Sequence, residues 1–184
     1  MDFAAHQPDR IISIKLVDLF APGGIATLEK RVECLELVVL GYCAPAGQSQ
    51  EQDSSSLDYM RRAMQEIPYS FLNLQQLLLP LVKRSSQKLV VVTTSVLGSI
   101  TDNFTGRLIA LRAATAALNQ IVKSVAIEAE AWNGSFVLVS PQRSEDSEEE
   151  SVSITAAKFV KTIGKLSLKD NGRWLNTNQQ TINW

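Results

Sequence analysis

The stretch KLVVVTTS at 88–95 runs through a glycine-containing loop into LIALRAATAALNQIVKSVAIEAEAW at 108–132. Its first part is short, apolar and rich in valine, which reads as a strand buried on both faces. Its second part is alanine-rich and free of proline, which predicts a long helix over 107–132. The same order recurs on either side. IISIKLVDL at 11–19 and LELVVLG at 35–41 read as strands of the parallel-sheet type, separated by the turn APGG and the short helix GIATLEKRVE that Pro22 opens. Residues 58–84 read as a helix with a kink or break at Pro68, because proline removes a backbone donor and crowds the preceding turn. The serines ahead of Leu57 and Asp58 can cap that helix. SFVLVSP is a fourth strand, SITAAKFVKTIGKL a short amphipathic helix ended by Gly164, and DNGRWLN a turn with a last strand. Strands alternating with helices predict a mostly parallel sheet covered on both faces.

The chain has 184 residues, 45% hydrophobic and 20% charged, with a formal net charge of −1. That suits one soluble domain spanning 1–184 with a core of its own. A net charge so close to zero offers no field to attract nucleic acid or an anionic membrane. The longest apolar run, LNLQQLLLPLV, is interrupted by Asn and Gln and is shorter than the ~20 residues of a bilayer span. The start, MDFAAHQPDR, shows no targeting signal. Cys34 and Cys43 flank a predicted strand, whose rise of about 3.3 Å per residue holds them too far apart for a disulfide. Reduced thiols and a reducing compartment are expected. His6 is the single histidine, and no zinc-ligand spacing exists. GQSQEQDSSS reads as a polar loop, and RSEDSEEES as a solvated run of like charge.

At Thr94-Ser95-Val96-Leu97-Gly98-Ser99-Ile100-Thr101-Asp102-Asn103 and Leu111-Arg112-Ala113-Ala114-Thr115-Ala116-Ala117-Leu118-Asn119 the pattern becomes specific. It resembles the short-chain dehydrogenase/reductase superfamily, in its C-factor-like carbonyl reductase branch. That branch carries Ser-Ser-x-x-Gly-Ser-Ile-x-Asp-Asn followed by Tyr-x-Ala-Ser-Lys-Ala-Ala-Leu-Asn. The segment with Asp18, Pro22 and Ile25 and the ending from Gly172-Arg173-Trp174-Leu175 to Ile182-Asn183-Trp184 extend the likeness over nearly the whole chain. The resemblance implies a three-layer Rossmann-like α/β fold with a mostly parallel sheet. It also implies that the family's first βαβ unit, with its glycine-rich phosphate loop, has no counterpart in this sequence. The remaining strands are then expected in the family order 3-4-5-6-7, with 11–19 paired directly to 35–41.

The resemblance further places the family's proton-transferring tyrosine at Leu111 and its pKa-lowering, ribose-binding lysine at Thr115, four residues apart on one helical face. Neither present side chain does that work. Ser95 alone stays at the serine position, where it reads first as a strand-end turn residue. The family's Asn-Asn-Ala-Gly becomes Leu40-Gly41-Tyr42-Cys43, its helical Asn becomes Ile67, and its Pro-Gly becomes Pro141-Gln142. Gly23-Gly24 reads as a turn, since no Gly-x-Gly-x-x-Gly surrounds it. The sequence-based expectation is therefore a chain that is not an enzyme. It would bind no cofactor and no metal, and would serve as a binding or structural subunit. Two alternatives stand beside it. One is a degenerate NAD(P)-dependent oxidoreductase completed by another chain, or a cofactor-free enzyme with a pocket near Tyr42, Ser95 and Asn103. The other is a truncated remnant. In the family the two long helices form dimers as a four-helix bundle, so Ala110, Ala113, Ala114 and Ala117 are either a homo-oligomer or heteromeric partner surface, or simply pack on the sheet. The exposed sheet edge is a further partner site.

Overall fold

The computed structural model describes residues 37–40, 56–141 and 152–184, with isolated positions between 26 and 35. The expectations for 11–19, His6, Gly23-Gly24, Cys34, Tyr42, Cys43 and the acidic run after Arg143 fall outside the described residues. Four strands form one sheet in the order β1-β2-β3-β4. They are β1 (Leu37–Leu40), β2 (Leu89–Thr93), β3 (Ser135–Ser140) and β4 (Trp174–Asn176). All pairings are parallel, with Leu37 opposite Leu89, Leu89 opposite Ser135, and Leu138 opposite Trp174. Parallel neighbours need long crossovers, and the helices supply them.

Between β1 and β2 lie α1 (Leu57–Met64), a π-helical turn (Gln65–Tyr69) and α2 (Ser70–Lys83). Ser56 caps α1 by accepting from the Tyr59 amide at 3.1 Å. Pro68 does not break the helix. The wider π turn absorbs its missing donor, and the Ser70 hydroxyl donates to the Glu66 and Ile67 carbonyls. α3 (Ile109–Ala129) joins β2 to β3, and α4 (Val152–Ile163) joins β3 to β4. α3 starts later than the expected 107 because Arg107 and Leu108 hold φ of 54° and 48°, outside the helical region. Residues 130–132 tighten into a 3₁₀ turn.

Strand alternation divides the core in two. Val38, Leu40, Val90, Val92, Phe136 and Leu138 face α1 to α3 and meet Phe71, Leu81, Ala114, Leu118 and Val122. Leu89, Val91, Val137, Val139 and Leu175 face the other way, under Phe159, Ile163 and Leu166. The architecture is a three-layer, Rossmann-like α/β fold with a short parallel sheet. No helix among the described residues is long and apolar enough to cross a membrane.

The alanine stripe splits. Ala110 and Ala114 are both 0% exposed and belong to the core, the sheet-packing alternative for these two. Ala113 is exposed and Ala117 half-buried, on the outward side.

Phe71 is fully buried between α2 and the sheet. Phe71→Ala is expected to cost about 3–5 kcal/mol in urea unfolding, whereas Ala113→Ser should stay within about 0.5 kcal/mol of the parent.

Candidate functional site

In open parallel α/β sheets, ligands lie outside the carboxyl ends of the strands. Here that edge is formed by the ends of β1, β2, β3 and β4 and by the loop from β2 into α3. Thr93 donates its hydroxyl to the Leu40 carbonyl at 3.0 Å, and the Thr94 amide bonds the Val139 carbonyl at 3.0 Å, so three strand ends are tied together. Ser95 remains extended and caps the 3₁₀ turn Val96–Gly98, its oxygen accepting from the Leu97 amide at 3.2 Å. The hydroxyl proton of Ser95 is not used by that bond.

The turn sits directly on α3. A Cβ added to Gly98 would lie 2.5 Å from Asn119 Nδ2, 2.9 Å from Thr115 Cγ2 and 3.1 Å from the Thr115 carbonyl carbon. Only glycine permits this approach. Asn119 is 2% exposed, and its Oδ1 accepts from the Thr94 hydroxyl at 2.6 Å, which closes a second tie between the end of β2 and α3. Its Nδ2 has no partner among the described residues.

Leu111, Thr115 and Asn119 follow one another at four-residue intervals and are all buried. Thr115 donates its hydroxyl to the Leu111 carbonyl at 2.7 Å, within its own helix. That bond leaves the Thr115 hydroxyl without a proton to offer, and Leu111 has none. The residues described around Ser95 therefore do not by themselves fit a nicotinamide dinucleotide: they present neither the phenol nor the ammonium that would face its ribose and the substrate oxygen.

Asn103 accepts from the Gly106 amide at 3.0 Å and is exposed, so it shapes its own loop. Tyr42 lies outside the described residues. Ser95 and Asn103 line neither of the two cavities described below. Sequence reasoning missed Arg112, which binds the loop carbonyls of Gly106 and Arg107 through Nε at 2.8 and 3.1 Å and Thr105 Oγ1 through Nη2 at 3.1 Å. Nor did it place the tail, matched by resemblance, against the Thr101 loop. The Ile182 amide bonds the Trp174 carbonyl at 2.9 Å, and Thr101 bonds the Trp184 carbonyl through its amide at 3.0 Å and its hydroxyl at 2.6 Å. No sequence period marks such irregular contacts.

This arrangement is a Rossmann-like sheet carrying a serine turn against a long helix. Its fold is that of the short-chain dehydrogenases/reductases. The structure superimposes on carbonyl reductase Sniffer of D. melanogaster with a TM-score of 0.81 at 23% identity, covering 100% of this chain and 82% of that one. The NADPH-bound carbonyl reductase from chicken fatty liver gives 0.79 at 22% identity, over 98% of this chain and 80% of that one. A carbonyl reductase from Pseudomonas aeruginosa PAO1 in complex with NADP gives 0.73 at 19%, over 91% and 75%. A scan against protein-family models and a search of curated proteins give no match.

These likenesses overturn the expectation that the chain is not an enzyme. The solved structures that share its fold include carbonyl reductases and short-chain dehydrogenases/reductases, several with a bound dinucleotide. Two unreactive side chains on one helix face report what this chain supplies, not what an assembled site contains.

Gly98→Ala is expected to lower stability by about 1–3 kcal/mol, read as a fall in the urea midpoint, because the new methyl would meet helix backbone as well as side chain.

Proposed function

We propose that this chain is part of an NAD(P)-dependent oxidoreductase of the carbonyl-reductase type that another chain completes. The observation that carries the reading is the Ser95 turn, held at the end of β2 against α3 within a sheet that matches carbonyl reductases over most of its length. Ser95 keeps a hydroxyl proton free to orient a carbonyl oxygen. The dinucleotide cradle and the proton donor come from outside these residues. Fluorescence titration with NADPH tests this. The isolated chain should give no saturable signal, and the native assembly purified from its source should bind in the micromolar range. A native assembly that neither binds NADPH nor oxidises it with a carbonyl acceptor would refute the proposal.

We also propose that the chain self-associates through its long helices. The end of α1, the π turn, α2 and α3 line a groove of about 350 Å³ whose floor is apolar, with Met64, Pro68, Leu72, Ala117 and Ile121 beside Tyr69 and with Arg61 and Gln65 at its edge. Tyr69 is 61% exposed there, a large ring area left in water. A second copy, laying the same face against this one, would cover it. Ala117→Glu should yield a folded monomer by sedimentation velocity and circular dichroism. An unchanged sedimentation coefficient would dispose of the idea.

A further inference from the structure

A cavity of about 530 Å³ opens between the Ser95 turn and the tail that follows β4. Small-molecule sites commonly enclose about 300–1,000 Å³. Val96 and Leu97 from the turn and Ile182 from the tail give it an apolar wall, while Asp102 and Arg112 bring one charge of each sign.

The two charges do not neutralise each other. Among the described residues neither Asp102 nor Arg112 forms an ion pair. Arg112 is nevertheless held firmly, since Nε and Nη2 bond three oxygens of the 105–107 loop, and Nη1 has no partner among the described residues. Such a guanidinium has already lost its side-chain freedom and keeps a donor for a carboxylate. Asp102 receives only a long contact, 3.5 Å, from Asn183 Nδ2, and its Oδ2 is unpartnered among the described residues. It can accept from an ammonium group.

We propose that this cavity binds a small zwitterion with apolar side chains, the chemistry of a short peptide or an α-amino acid. The carboxylate pairs with Arg112, the ammonium with Asp102, and the side chains lie against Val96, Leu97 and Ile182. The site is separate from the serine position, because the Ser95 side chain is not among its walls. It stands whether or not the chain is part of a reductase.

Isothermal titration of the 184-residue chain with L-leucyl-L-leucine, without dinucleotide, tests the assignment. Saturable binding is expected, with N-acetyl-leucyl-leucine and leucyl-leucine amide each weaker by about tenfold or more, the loss of one charge-assisted contact. Asp102→Asn should weaken the dipeptide and leave its acetylated form unaffected. Arg112→Gln should weaken the dipeptide and leave its amide unaffected. Asp102→Asn alone decides the matter if Arg112→Gln disturbs its loop, since the cap from Ser99 to Asp102 uses the backbone amide. Absence of saturable heat, equal affinity for all three probes, or binding indifferent to Asp102→Asn overturns the proposal.

Discussion

The contact between the backbone of Gly98 and the Thr115–Asn119 face of α3 is the constraint on which this end of the molecule depends. A strand end and a helix are brought within a distance no side chain could occupy at Gly98, and the Thr94–Asn119 hydrogen bond secures the same junction one turn further along. The position of Ser95 follows from that junction. So does the course of the loop that carries Asp102 and presents its carbonyls to Arg112.

Asn119 is buried in this junction, and its Nδ2 has no partner among the described residues. The surrounding core is conventional: Val91, Val92 and Val137 are sealed on the two faces of the sheet, and Trp174 spends its indole N–H on Ser140 at 2.9 Å. Stability therefore resides in the sheet and its helices, and any cost of holding the serine turn is borne by them.

The correction to the non-enzyme expectation turns on what kind of statement a missing residue makes. Leu111 and Thr115 exclude proton transfer by their own side chains. They say nothing about groups brought from elsewhere to the same strand ends, and the likeness to carbonyl reductases extends through the sheet and through the tail. The tail also gives the 96–102 loop a second wall, so the carboxyl edge of the sheet offers an open cavity beside the serine turn.

Much of the fold was legible in the residue order. Valine-rich runs at 89–92 and 136–139 have only one use in a chain of alternating periods, and the strand order follows once each is joined by a helix. Ser95, Leu111 and Thr115 were equally readable, because one-turn spacing on a helix and a fixed loop length place them without reference to distant chain. The split of the alanine stripe, with Ala110 and Ala114 inward and Ala113 outward, was not readable, since an alanine suits both a core and a surface. Nor were the π turn around Pro68, the late start of α3, or the meeting of Thr101 with the tail, which join positions separated by irregular backbone. The sequence by itself determined the elements, their order and the side chains missing from the helix face, because periodicity and local spacing are properties of neighbouring residues. Only the tertiary structure decided which alanines face the sheet, how Gly98 meets α3 and where a cavity opens, because those depend on surfaces from distant segments meeting at van der Waals contact.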